Sequence, residues 1–217
     1  DNLYIFKNTE GTPENIRKFH PNIIVSSTGS APLLPPIAGL KDRIDNENHN
    51  IYSILGMISH INDFPKDLEG KKVVVVGGGA VGLDVVEFFA DRNADISIVE
   101  MMDQIGRDLD PVSKNDTKTM MKKHNVHQLT KTALLEVKDS SFLVRGDGEP
   151  YELPFEYGFV CLGMRAQGQL YQNLTEEFSS EDVEIMNIGD SQRARRIIDG
   201  TQEGRNILTV LEQKGYL

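Results

Sequence analysis

The stretch VVVVGGGAVGLDVVEFFADRNADISIVE, Val73 to Glu100, decides the fold. It opens with four consecutive valines, an apolar run of strand length, as a parallel strand covered on both faces requires. The period then changes. Val81, Val85, Phe88 and Phe89 fall at i, i+4, i+7 and i+8 and share one face of a helix. Ile96, Ile98 and Val99 return to strand. The turn between strand and helix, Gly77-Gly78-Gly79-Ala80-Val81-Gly82, fits G-x-G-x-x-G.

That pattern is common by itself. Its place directly after a strand and directly before an amphipathic helix gives it a mechanism, that of a Rossmann-type dinucleotide site. Gly77 permits the tight turn, Gly79 lets the backbone approach a pyrophosphate, and Gly82 lets the helix pack closely on the strand. Gly78, Ala80 and Val81 complete the turn, and the helix N-terminus offers unpaired N–H groups and partial positive charge to phosphate oxygens. Glu100 closes the second strand, 18 positions after Gly82. A carboxylate there accepts both hydroxyls of an adenosine ribose and repels a 2′-phosphate, and Met101 and Met102 bring no cation to offset the repulsion. The expected ligand is therefore NAD(H) in preference to NADP(H), with Met101 lining core or adenine pocket. A glycine turn without any ligand is the competing reading, and the strand–helix context disfavours it.

The rest of the chain narrows the classes. Across 217 residues the hydrophobic fraction is 39% and the charged fraction 26%, as in globular proteins with one large domain or two small ones. The formal net charge of −10 opposes nucleic acid or an acidic membrane as partner. No segment approaches the roughly 20 apolar residues that span a bilayer, and no secretory leader pattern opens the sequence. The lone cysteine, Cys161, excludes an internal disulfide and a Cys-x-x-Cys pair. A reducing cytoplasm is the expected location. Nothing in the sequence sets an oligomeric state.

Outward from the glycine turn, strand and helix alternate, which argues for an α/β fold with a mainly parallel sheet. Leu3–Phe6 reads as a strand lying almost at Asp1, so the chain is expected to be a piece of something longer. Thr12-Pro13-Glu14 opens a short helix, and Ile23-Ile24-Val25 is a buried strand. APLLPPIAGL, Ala31 to Leu40, reads as a connector. Lys41 to Asn50 reads as a surface loop, and Ile51 to Ile61 as a short helix. Pro111 to Lys123 is a helix, Ala133 to Arg145 a hairpin, Phe159 to Leu162 and Val183 to Ile188 buried strands, and Ala194 to Gln213 a closing helix.

Two further segments carry a resemblance. Thr28-Gly29 follows a buried strand and leads into the proline connector, and NIGD, Asn187 to Asp190, follows another. Flanking the central unit in this way, they resemble the flavoprotein reductases in which an NAD domain is inserted into an FAD domain. IVEMMDQIGRDLDP (Ile98 to Pro111) and IGDSQRARRIIDGTQEG (Ile188 to Gly204) are similar to the C-terminal region of the NADH:flavin oxidoreductases related to Old Yellow Enzyme. That group includes 2-enoate reductase, 2,4-dienoyl-CoA reductase and NADH oxidases.

The resemblance implies residues 1–40 and 158–217 as two segments of a partial FAD-binding domain, with 41–157 as the inserted NAD(H)-binding domain. It implies FAD contacts at Thr28, Gly29, Gly163, Gly189 and Asp190, and hydride transfer from NADH to FAD. FMN and an iron–sulfur cluster would belong to a missing N-terminal flavin domain, since one cysteine cannot ligate a cluster. Within this chain no residue is expected to be catalytic, and no metal site is expected. Met164, Ala166 and Ala194 depart from the family pattern. A sensor module that binds NAD(H) without catalysis, and a reductase of the ferredoxin- or nitrite-reductase kind, remain as alternatives. Asp84, early in the helix, is either a solvated residue or a neighbour of the nicotinamide. His124-x-x-His127 lacks a third metal ligand in register.

Overall fold

The computed structural model describes residues 2–216, so Asp1 and Leu217 lie outside the described residues. The chain begins with α1 (Pro13–Arg17), β1 (Ile23–Ser26), β2 (Ser30–Pro32), α2 (Leu40–Arg43), β3 (Ile51–Tyr52) and α3 (Ile54–Ser59). It continues through β4 (Lys72–Val76), α4 (Ala80–Ala90), β5 (Asp95–Val99), α5 (Pro111–Lys123) and β6 (His127–Leu129). Then come β7 (Ala133–Val137), β8 (Ser141–Arg145), β9 (Tyr151–Pro154), β10 (Tyr157–Val160), β11 (Met164–Ala166), α6 (Gln169–Glu177), β12 (Glu184–Asn187) and α7 (Ile197–Gln213). This is the expected α/β architecture. It divides into two compact units: one continuous, Pro32–Gly163, the other built from the chain through Ala31 and from Met164 onward.

The continuous unit is organised by a five-stranded sheet in the order β3-β10-β4-β5-β6, every pairing parallel. The valine run of β4 sits at its centre and serves both faces, because successive side chains of a strand point in opposite directions. Val73 and Val75 join Val85, Phe89, Ile96, Ile98 and Phe159 under α4. Val74 and Val76 face the other way, into a cluster with Phe142 and Val144 from the antiparallel sheet β7-β8-β9 and with Phe155 just after it. Each of the four valines is almost wholly buried, and each contributes at most about 1.5–3 kcal/mol. That is why the run reads as continuously apolar rather than alternating.

The second unit pairs β1 with β12 in parallel, Ile23 opposite Glu184 through Ser26 opposite Asn187. Ile24, Leu174 and Phe178 form its small core. Arg17 joins α1 to the end of α6: it pairs with Glu177 at 2.8 Å and with Glu181, and its guanidinium lies 4.6 Å above the Phe178 ring. The closing helix starts at Ile197, later than Ala194, because Asp199 accepts from the Arg196 N–H at 3.0 Å and fixes the first turn there.

Several local expectations need correction. Leu3–Phe6 is not a strand: all four side chains are exposed, and no described strand pairs with them. An apolar run without a ladder partner has nothing to hold it extended. Ile51–Ile61 is not one helix. Ile51 and Tyr52 extend the parallel sheet beside β10, and Ser53 then caps α3 by accepting from Gly56 N at 3.1 Å. Within the Lys41–Asn50 segment, α2 turns once. Strand β12 is half-buried rather than buried, since β1 is its one partner among the described strands.

Candidate dinucleotide site

The carboxyl ends of β4, β5 and β10 lie side by side, and the chain leaves them through Gly77, Glu100 and Cys161. In open parallel sheets ligands bind beyond these ends. Each glycine of the turn meets a different constraint. Gly77 has φ +110°, and a Cβ there would stand 2.1 Å from the Cys161 carbonyl oxygen. A Cβ at Gly82 would stand 1.9 Å from the Gly77 carbonyl oxygen, so the helix approaches the turn through a bare backbone. A Cβ at Gly79 would meet nothing within 4 Å. The first two glycines are therefore demanded by packing within the protein, and the third leaves open space.

Gly79 is also the N-cap of α4 and has no side chain to accept from the first-turn N–H groups. Those groups open onto a cleft of about 630 Å³. Its lining brings together Gly77, Gly79, Ala80, Val81, Glu100, Met101 and Gly163, seven of the residues expected at a cofactor. Gly78 lines an adjoining cavity, and Gly82 is buried beneath the turn. Opposite the polar turn, Leu33, Pro35 and Ile37 from the proline connector and Leu134 from β7 supply an apolar wall. Those wall residues escape a motif search, although the apolar side chains of the connector are their signal.

Glu100 is fixed before any ligand arrives. One carboxylate oxygen accepts from Gly78 N and the other from Met102 N, both at 2.7 Å. Each oxygen keeps a lone pair for a further donor. Met101, 68% exposed, stands at the lip of the cleft. Cys161 lines the cleft floor but is buried, and burial, with Asp84 adding to it, pushes its thiol up to about 12. The thiol stays protonated and inert. Asp84 itself stands on the exposed side of α4, lining a separate cavity with Glu87 and Asp116. Partial desolvation raises its carboxyl above the usual range.

Thr28, Gly29, Gly189 and Asp190 belong to the other unit. Gly29 has φ +75°, a Cβ there would meet nothing within 4 Å, and its carbonyl accepts from Gln167 N at 2.9 Å. The Thr28 hydroxyl donates to the Gln167 carbonyl at 2.6 Å. Asp190 accepts from Ser30 Oγ and from Arg195 N, both at 3.0 Å. The Gly189 N–H donates to Glu203 at 2.7 Å, and that bond, followed by Arg195, holds the Glu203 carboxyl below its usual range. His127 pairs with Asp95 at 3.3 Å. Among the described residues no group of three potential ligands gathers as a metal site, and no helix is long and apolar enough to cross a membrane.

With this geometry in place, comparison with known proteins identifies the family. Residues 5–186 match the model of the pyridine nucleotide-disulphide oxidoreductases. The chain belongs to that family. Its relatives are flavoprotein NAD(P)H oxidoreductases. They include an NADH oxidase of Thermoanaerobacter brockii, 26% identical across 88% of this chain and 28% of the relative. A metal reductase of Desulforamulus reducens is also 26% identical, across 91% of this chain and 32% of the relative. The fold is shared with a solved 2-naphthoyl-CoA reductase at a TM-score of 0.74 and 22% identity, covering 91% of this chain and 28% of that one. The chain thus spans about a third or less of the length of these relatives.

Proposed function

We propose that this chain is the NADH-binding portion of a longer flavin-dependent oxidoreductase of the kind related to Old Yellow Enzyme. The observation that carries the reading is Gly79: it opens onto the cleft where a side chain would intrude, beside uncapped helix N–H groups and a carboxylate fixed for ribose. Gly77, Gly78, Gly79, Ala80 and Val81 receive the diphosphate, Gly82 seats the helix that presents those amides, Glu100 accepts the adenosine hydroxyls, and Met101 with the apolar wall covers the adenine. These groups bind and orient. They move no proton.

In the discontinuous unit, Thr28, Gly29, Gly189 and Asp190 are part of an FAD site; Gly163, which the resemblance assigns to the same site, instead ends the continuous unit and lines the cleft beside Gly77. The first four fit such a group as far as this chain goes: Gly29 leaves open space, and the Asp190 carboxylate is held from two sides. When bound, NADH supplies a hydride and FAD accepts it, for delivery in the longer protein to an activated alkene such as an enoate or enoyl-CoA, or to oxygen. FMN and an iron–sulfur cluster are assigned to segments outside this chain, and the NAD(H) domain to the continuous unit Pro32–Gly163, wider than the 41–157 that the resemblance implies. A reducing cytoplasm suits the chemistry, and no nucleic acid or membrane partner is proposed.

Calorimetric titration with NADH is the test. Heat saturating at one nucleotide per chain, with NADPH binding more weakly, supports the reading. No heat with NADH would end it.

A further inference from the structure

Helix α3 is apolar on both sides, which a surface helix seldom is. Its inner side is accounted for: Met57 is buried in the core shared with α4, and Ile54 packs against that core. Its outer side is not. Leu55 and Ile58, three positions apart, share a face, and they are 47% and 54% exposed; Ile61, just past the helix end, is 38% exposed. Single exposed apolar residues need no explanation, but several on one face mark a contact surface. The helix follows directly on β3, an edge strand of the five-stranded sheet.

Charge decides what covers this face. Among the described residues α3 is the one helix without Lys, Arg, Asp or Glu. In sequence the nearest such residues are Glu47 and Asp63, and Asp63 lies 3.0 Å from His60 Nδ1. In space Asp45 reaches the helix start, where its carboxylate accepts from Ser53 N at 2.7 Å. A Cβ at Gly56 would stand 1.8 Å from that carboxylate, so Asp45 flanks the Gly56 side, about 100° or more round the helix from Leu55 and Ile58. The chain carries −10, and two copies repel one another at a distance. A two-fold contact sets a surface against itself, and a charge at its centre against its own sign. Only a face free of charge meets itself without that cost. Exposed apolar groups elsewhere fail the condition. Ile197 and Ile198 follow Arg193, Arg195 and Arg196, Phe6 adjoins Lys7, and Phe19 adjoins Lys18.

We propose that the outer face of α3 docks against the same face of a second copy of this chain across a two-fold axis, with Leu55, Ile58 and Ile61 as its apolar centre. This does not depend on what the cleft binds. The contact is small, so the dimer is weak and forms as concentration rises. Salt strengthens it, by screening the repulsion between two chains of like charge while the apolar contact stays in place.

Sedimentation equilibrium of the full chain, at low and at high salt, is the experiment. With increasing concentration the wild type should rise from the mass of one chain toward twice that mass, and high salt should bring the rise to lower concentration. Leu55→Lys/Ile58→Lys and Leu55→Glu/Ile58→Glu should each weaken association at least about a hundredfold, because charges of one sign are then buried against each other. Both positions are exposed in the single chain, so its melting temperature should hold. Mixed in equal amounts, the two variants should associate again, since opposite signs meet across the axis. Leu208→Glu, on the exposed side of α7, should leave the dimer unchanged. A wild type that keeps the mass of one chain throughout would overturn the proposal and leave the face to a different partner. Double variants that associate as the wild type does, or a mixture that stays monomeric, would overturn it as well. Association lost through Leu208→Glu, or weakened by salt, would place the contact elsewhere and do the same.

Discussion

Gly77, Gly79 and Gly82 make separable demands, so replacing each by alanine should separate folding from binding. Gly79→Ala adds a methyl that meets nothing within 4 Å, at a residue with φ −79°. Alanine is a poorer N-cap than glycine, which costs up to about 1 kcal/mol. Reduced freedom of the unfolded chain returns about 0.4–1 kcal/mol. The net change should therefore be under about 1 kcal/mol, and melting should move by no more than about 4 °C. Binding should respond differently, because the methyl holds a diphosphate away from the main chain. Losing one amide–phosphate hydrogen bond costs about 1.5–3 kcal/mol, which weakens NADH at least about tenfold.

Gly82→Ala and Gly77→Ala should show the opposite balance. The methyl at 82 would stand 1.9 Å from a backbone oxygen and the one at 77 would stand 2.1 Å from another, the latter at φ +110°. Overpacking costs about 1–3 kcal/mol, and strain at Gly77 adds about 1–3 kcal/mol more. Scanning calorimetry and nucleotide titration on the same three proteins provide the comparison. Should Gly79→Ala bind NADH as the wild type does, the diphosphate does not lie against the turn. Should it melt as low as Gly82→Ala, the space at position 79 is not free.

Three further outcomes are expected. Glu100→Ala should weaken NADH about tenfold by removing the ribose acceptor, and it should also lower the melting temperature, since the amides of Gly78 and Met102 lose their partner; an unchanged nucleotide affinity would refute the assignment. The Cys161 thiol, raised in the folded state to about 12 from an ordinary 9.0, should resist a thiol reagent at pH 8 until the chain is denatured. Its contribution to stability is complete below pH 9 and is lost as pH rises toward 12, because the unfolded chain ionises first; a fast native reaction, followed by absorbance, would contradict this. Phe159→Ala, at a wholly buried ring packed on Phe89 at 4.8 Å and stacked on Tyr52 at 5.6 Å, should cost about 3–5 kcal/mol by denaturant titration.

The βαβ unit can be read from sequence because its signals are local: the four valines, the glycines and the helical spacing of Val81, Val85 and Phe89 all fall within a few turns of chain. The long-range parts are less accessible. Ile51 and Tyr52 take strand geometry only because β10 arrives from far along the chain to pair with them. Leu3–Phe6 has the composition of a strand, yet pairing decides strands and composition does not. The loop after β5 shows the same limit: only the hydrogen bond from Gly106 to Gly78 brings it to the turn.

The continuous unit begins and ends at one point: Leu33 N donates to the Gly163 carbonyl at 2.9 Å. This affects the order in which the chain can fold. On a ribosome, Ile23 emerges before Glu184 and must wait for it, and Arg17 waits for Glu177, 160 positions later. Closing so long a tether is slow when the intervening chain is loose. Once Pro32–Gly163 has collapsed, its two ends are neighbours, and the tether shrinks to the few residues flanking it. The continuous unit therefore acts as a clasp during biosynthesis, and its failure to fold would leave β1 without β12.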